Sequence, residues 1–210
     1  LYMLAPARGR VIDEDSPIGP VSRKGAIRAR ATERLFDAHH RGEVVAVAGR
    51  ASDFYGPGGT MSGLGDFFWP DALAGKRVRS PYPLDVPHTW HYIPDVAAGL
   101  AVLGNADADA CGRAWMLPCQ PAEPLQQLVD RLAAVLGRQL RTGGMPRLLV
   151  KALGLMMPVM REIDEMLYQW DGPSHVDDRR FRTRFGLLPA PLDLAARETV
   201  AWATRHYARA

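Results

Sequence analysis

Lysine and cysteine are almost missing from this chain. Of its 26 basic residues only Lys24, Lys76 and Lys151 are lysine, and the arginine excess reads as genome composition rather than as an anion site. Against 23 acidic residues the formal charge is +3, too small and too scattered for a nucleic-acid surface. The two cysteines, Cys111 and Cys119, cannot staple 210 residues and match no common zinc spacing, so a reduced, cytoplasmic protein is expected. Long apolar runs are missing as well. The most apolar stretch, residues 148–160, is broken by Lys151 and Pro158 and falls short of the ~20 residues a bilayer span needs. No basic segment followed by an apolar run points to a signal peptide. What remains is 47% hydrophobic and 23% charged, an ordinary globular composition that excludes disorder, collagen-like repeats and coiled coil. The expected partners are small molecules or protein, without nucleic acid or membrane.

Several catalytic signatures are also missing. No strand-turn-helix carries G-x-G-x-x-G, and the glycine-rich Gly56 to Gly65 lacks the Gly-Lys-Ser/Thr of a phosphate loop. It reads as a loop that needs positive φ angles. No serine sits in a G-x-S-x-G elbow, which argues against a Ser-His-Asp hydrolase. His88 and His91 lie three apart without an evident third ligand, so no metal is expected. His39 and His40 close a helix, where imidazole complements the dipole.

The elements that are there alternate. Residues 5–20 are dense in proline and glycine and read as a loop; Leu1 to Leu4 before them reads as the end of a buried strand. Ser22 stands as an N-cap, and residues 23–41 form a helix ending at Gly42. Glu43 to Ala48 is a short β-branched run between two glycines, the pattern of a strand buried on both faces of a parallel sheet. Loop, helix and buried strand make the second half of a βαβ unit. A short helix over residues 66–73, short strands within 76–93, a helix capped by Asp95, a strand at Ala114 to Leu117, an amphipathic helix through Leu125, Leu128, Val129, Leu132, Val135 and Leu136, a helical stretch over 145–170 broken at Pro158, and a last helix over 192–206 complete the reading. Glu162, Asp164 and Glu165 mark its solvated face, with Met166, Leu167 and Trp170 on the buried side.

The order of these residues is similar to a known family. Asp13-Glu14, Pro20, a helix with Glu33, a buried strand, Arg50-Ala51-Ser52-Asp53-Phe54-Tyr55-Gly56-Pro57-Gly58 and Thr89-Trp90-His91-Tyr92-Ile93-Pro94-Asp95-Val96-Ala97 resemble the NAD-dependent epimerase/dehydratase family, the extended short-chain dehydrogenase/reductases. The resemblance covers the family's carboxyl-terminal two-thirds; the early strands with the glycine fingerprint have no counterpart. It implies an α/β fold, a Rossmann-type parallel sheet represented by its late strands, with a smaller mixed α/β substrate domain. Residues 1–52 would belong to the nucleotide-binding domain and 53–210 to the substrate domain with interleaved Rossmann elements. The implied cofactor is NAD or NADP.

The resemblance also marks departures. The family's Tyr-x-x-x-Lys pair, in which lysine lowers the phenol pKa for proton exchange, falls on Lys24 and Arg28, neither a phenol. Arg28 keeps a positive charge for cofactor ribose, and Tyr2 is the nearest substitute phenol, its alternative being simple packing. Ala51 and Ser52 match residues whose backbone meets the nicotinamide end. Asp53 replaces a substrate-binding asparagine, and His88 stands where nucleotide-sugar enzymes keep a diphosphate-binding arginine. A carboxylate in place of a fixed bidentate cation disfavours nucleotide sugars and favours a smaller, uncharged or cationic carbonyl substrate. Tyr55, Trp90 and Trp69 would wall the site, or simply fill the core. The expected function is NAD(P)-dependent oxidoreduction or epimerisation. The alternatives are a non-catalytic nucleotide-binding sensor and an inactive fragment of the same fold. A parallel sheet without its early strands exposes an apolar edge, so self-association is expected.

Overall fold

A computed structural model describes residues 1–207, and breakers govern how its chain starts. Prolines and glycines hold the first twenty residues in turns apart from β1 (Val11–Ile12). Leu1 to Leu4 differs from the strand end the sequence predicts: Leu4 N donates to Leu1 O at 2.9 Å, closing a turn, and Leu4 bridges Ile18. The helix that follows, α1 (Arg23–His40), is as expected. Ser22 Oγ caps it by accepting from Gly25 N at 3.0 Å, and Gly42 takes the left-handed conformation just past its end, φ 75°.

Gly25 sets how close α1 comes to the opening turn. A Cβ there would fall on the Tyr2 carbonyl oxygen and 2.9 Å from Pro20 Cβ. The main obstacle is backbone, which cannot swing aside as a side chain would. Gly25→Ala is therefore expected to destabilise the fold by about 1–3 kcal/mol despite alanine's better helix propensity, read as a lower midpoint in urea unfolding. An unchanged or raised midpoint would show that the turn gives way freely.

The chain continues through β2 (Ala48–Arg50), β3 (Asp53–Tyr55), α2 (Trp69–Leu73), β4 (Val78–Ser80), β5 (Pro87–His88), β6 (Trp90–Tyr92), α3 (Ile93–Gly104) and β7 (Ala114–Met116). Then come β8 (Glu123–Pro124), α4 (Leu125–Leu136), β9 (Thr142–Gly144), α5 (Arg147–Gly154), α6 (Pro158–Met166), a 3₁₀ turn over Leu167–Trp170, β10 (His175–Val176), α7 (Arg179–Phe185) and α8 (Leu192–Tyr207). Four strand pairs are parallel, β1 with β10, β2 with β7, β3 with β6 and β4 with β9; β5 and β8 run antiparallel. Parallel pairs need long crossovers, and helices supply most of them, which makes the fold mixed α/β.

Four local expectations are corrected. The strand predicted at Glu43 to Ala48 begins to pair only at Ala48, opposite Ala114. Val44 is exposed and Val45 is 79% exposed, because a β-branched run reads as buried whether or not a neighbour covers it. Nor does β2 run beside Leu1 to Leu4 as a strand pair; Leu1 N reaches Ala51 O at 3.3 Å instead. Asp95 is not the cap of α3, which starts at Ile93 with Pro94 in its first turn, and its carboxylate accepts from Ala190 N at 2.9 Å. Val135 of α4 is exposed, whereas Leu125, Leu128, Val129 and Leu132 are buried as predicted. The helical stretch is broken at Pro158 as predicted, α5 ending at Gly154 and Pro158 opening α6.

Packing follows from the faces these helices bury. Leu128, Val129 and Leu132 of α4 meet Ala195, Ala196 and Val200 of α8 in the main core, together with Trp69, Trp90 and Trp170. Leu103, Trp115, Leu117 and Phe181 form a second cluster between α3, β7 and α7. Among the described residues no helix is long and apolar enough to cross a membrane.

Candidate functional site at the ends of β2 and β3

The chain changes strand partner between Arg50 and Asp53, since β2 pairs with β7 and β3 with β6. That short junction needs its own polar partners, and two histidines from the extended stretch that holds β5 and β6 supply them. Ser52 N donates to His91 Nδ1 at 3.0 Å, and His91 Nε2 donates to Leu117 O at 3.2 Å. The ring thus ties the junction to the end of β7. Burial pulls the His91 imidazole down from 6.5 to about 4, the Leu117 contact opposing the shift.

His88 is 1% exposed. Its Nε2 lies 2.7 Å from Asp53 Oδ2 and 3.1 Å from Ser52 Oγ, while its Nδ1 is buried without a partner among the described residues. Both contacts fall on one nitrogen, so serine, histidine and aspartate here do not form the relay of a nucleophilic triad, which needs one on each ring nitrogen. The imidazole stacks on Trp170 with centroids 4.6 Å apart, and Trp170 stacks on Tyr82 at 4.4 Å. Gly63 closes the stack, because a Cβ at that position would strike the Tyr82 ring.

Two clefts meet at this junction. The larger, about 660 Å³, runs past Lys24, Asp53, Ser62, Tyr82, Met160 and Trp170. The smaller, about 350 Å³, lies against Arg28, Ala51, Ser52 and Asp53 at the carboxyl end of β2, where ligands of open parallel sheets sit. Tyr2, Asp53 and Gln169 line both. A third hollow of about 600 Å³ lies between the opening turn and residues 168–174 and also touches Tyr2 and Ser52.

Of the residues the sequence singles out, the structure brings Tyr2, Lys24, Arg28, Ala51, Ser52 and Asp53 to these walls. Lys24 Nζ is engaged by Glu162 at 2.8 Å. Tyr55, His88 and Trp90, read as substrate-binding, lie buried behind the wall, and none of them lines either cleft. Trp69 is wholly buried in the main core. Sequence reasoning missed Tyr82, Gln169 and Trp170 as wall residues. Tyr82 falls in the proline-rich stretch 76–93, whose pattern predicts short strands and a loop but no site, and the pattern around Trp170 predicts only the buried side of a helix. Glu162 and Asp164 differ in kind: Glu162 is exposed, whereas Asp164 is partly buried.

The smaller cleft has main chain from Gly49 to Asp53 on one side and Arg28 on another. Arg50 adds a buried Nε with no partner among the described residues. A pyrophosphate needs a glycine turn at a helix N-terminus. The glycine-rich loop does not supply one, since its Thr60, Met61, Ser62 and Gly63 line the larger cleft, with Gly56 and Gly58 at positive φ as expected. Among the described residues no three of His, Cys, Asp or Glu gather in a way that could hold a metal ion.

No family model matches the sequence, and no curated protein matches it. Solved structures do. UDP-glucuronic acid 4-epimerase from Bacillus cereus in complex with NAD superposes with a TM-score of 0.74 at 12% identity, over 97% of this chain and 60% of that one. RMD from Pseudomonas aeruginosa complexed with NADPH gives 0.71 at 14% identity, over 98% and 63%. L-threonine dehydrogenase from Clostridium difficile gives 0.70 at 15% identity, over 98% and 62%. The chain thus spans about three-fifths of the length of these structures. What it shares with them is the Rossmann-type α/β fold of epimerases and dehydratases crystallised with NAD or NADPH.

Proposed function

We propose that this chain serves nicotinamide-dependent oxidoreduction or epimerisation of a small carbonyl or hydroxyl compound that is not a nucleotide sugar. One observation carries the reading: Tyr2, Asp53 and Gln169 form a wall common to both clefts, so a group held in one is next to a group held in the other. Nicotinamide, when bound, supplies or accepts the hydride. Main chain at Ala51 and Ser52 would hold its ring and Arg28 its ribose. Tyr2 would exchange the proton with the substrate oxygen, and Lys24 would add positive charge beside it. Asp53 would face the substrate. With His88 buried, no cation from that position reaches the larger cleft, which removes the diphosphate anchor a nucleotide sugar needs there.

The rest of the sheet and the phosphate cradle would come from polypeptide outside these 210 residues. The 210-residue chain alone is accordingly expected to bind NADH and NADPH weakly or not at all. It is also expected to self-associate through β2, which pairs only with β7 among the described residues, next to exposed Val44 and Val45. Sedimentation checks this, and a monomer at every concentration would mean that the edge is protected.

For protein carrying the remaining sheet, fluorescence titration with NADH and NADPH should show saturable binding, and a panel of small ketones, aldehydes and alcohols should show turnover. Tight binding of UDP-glucose in the same assay would overturn the substrate class, since Arg77 and Arg79 also line the larger cleft. Binding without turnover would favour the second reading, a nucleotide-binding sensor. Its support is Lys24, which stands in place of a phenol and is ion-paired with Glu162.

A further inference from the structure

We infer that His88 is a positioning residue for Asp53, and that the pair makes the larger cleft selective for substrates presenting a hydroxyl or ammonium donor over carboxylate anions. The inference deepens the proposed function and rests on that reading of the cleft as the substrate site. Its basis is an asymmetry in how the carboxylate is held. Asp53 Oδ2 takes the 2.7 Å contact from His88 Nε2, whereas Oδ1 accepts from no described residue and the side chain is 35% exposed in the cleft wall. The His88 hydrogen belongs on Nε2, because that nitrogen faces both Asp53 and Ser52 while Nδ1 has no partner.

The imidazole cannot turn away to offer its other edge. Trp170 covers one face, inclined by only 16°, and Tyr82 backs Trp170; Gly63 lies against Tyr82, and Trp90 meets His88 edge-on at 5.3 Å. A ring fixed in this way donates to one carboxylate oxygen and leaves the other as a bare acceptor. An ionised carboxylate has no hydrogen to give, so a ligand group docking there must donate. Hydroxyl and ammonium do so, ammonium with charge assistance, while a second carboxylate meets repulsion and an unpaired acceptor. Arg77 and Arg79 line the same cleft, which gives an anion that ignored Asp53 a place to bind and makes an anionic rival informative.

The test uses two probes of matched size, 1-amino-2-propanol and propionate, the second a carboxylate without a hydroxyl, titrated into the folded protein by calorimetry without dinucleotide. The wild-type protein should bind the amino alcohol at least ~10-fold more tightly. Asp53→Asn should erase that preference. His88→Leu should weaken the amino alcohol by ~3–10-fold with propionate unchanged, and His88→Gln, whose side-chain amide can donate to the same oxygen, should restore it to within about twofold. Histidine ¹H–¹⁵N correlation spectra of the wild-type protein should show His88 protonated at Nε2. Equal affinity for the two probes, binding of neither, or equal weakening of both by His88→Leu would each overturn the inference. If His88→Leu does not fold, Asp53→Asn and His88→Gln decide. Absence of NADH binding by protein carrying the remaining sheet, with donor selectivity intact, would count against the redox reading alone.

Discussion

Replacing His91 with leucine is expected to lower the unfolding free energy by about 2–6 kcal/mol, because two buried backbone groups lose their only described partner together, at about 1–3 kcal/mol each. Those groups are the Ser52 N–H and the Leu117 carbonyl, bound at 3.0 and 3.2 Å. Leucine fills much of the space but can neither accept from one nor donate to the other. The same ring makes stability depend on pH. Its folded-state pKa is pulled down by burial to about 4 against 6.5 for an exposed imidazole, so between those values the unfolded chain holds the extra proton and stability rises with pH. The penalty is absent above 6.5, grows as pH falls, and is complete below about 4. Urea unfolding of both proteins from pH 8 to 4 checks this: the wild type should lose more stability over that window than the leucine variant. Parallel curves would show that His91 is not the group responsible.

Tyr2→Phe is expected to reduce turnover by ~10²–10⁴-fold, the usual range for loss of a positioned proton donor, with substrate affinity nearly unchanged. Tyr2 lines both clefts, whereas Tyr82, the other phenol on the larger one, does not border the smaller. Tyr2 is also held from both sides. Its carbonyl rests where Gly25 leaves room and accepts from the Tyr168 hydroxyl at 3.5 Å. Tyr82→Phe is therefore the control, expected to act far more weakly. Full activity in Tyr2→Phe, assayed as carbonyl reduction with NADH or NADPH, would remove Tyr2 from the chemistry and leave Lys24 as the proton carrier to test next.

Much of the helical framework was readable from local signals. Ser22 and Gly42 bracket α1, a run of leucines at helical spacing announces α4, and Pro191 precedes α8. Such features depend on residues within a turn of each other. The strands were less readable, because a three-residue parallel strand is defined by its partner rather than by its own composition. Val44 and Val45 have the residue types of a strand interior yet are exposed, whereas Gly49 and Arg50, poor strand formers by type, pair with Trp115 and Met116. The site divides in the same way. Ser52 and Asp53 could be placed from the turn after a strand, but the contacts that define their chemistry come from His88 and His91, 35 to 39 residues away. The resemblance sets His88 against a ligand because it gives position along the chain and says nothing about a tryptophan from residue 170 stacked over its ring.

The pairing of β1 with β10 joins Val11 to His175 and Ile12 to Val176. A ribosome must therefore deliver everything from β1 through β10 before β1 can find this mate. Until then the early segment emerges with backbone amides unmatched, and chaperones would have their longest access at that stage. Termination of the chain anywhere between β1 and His175 would leave that strand unmated however intact the helices between them are.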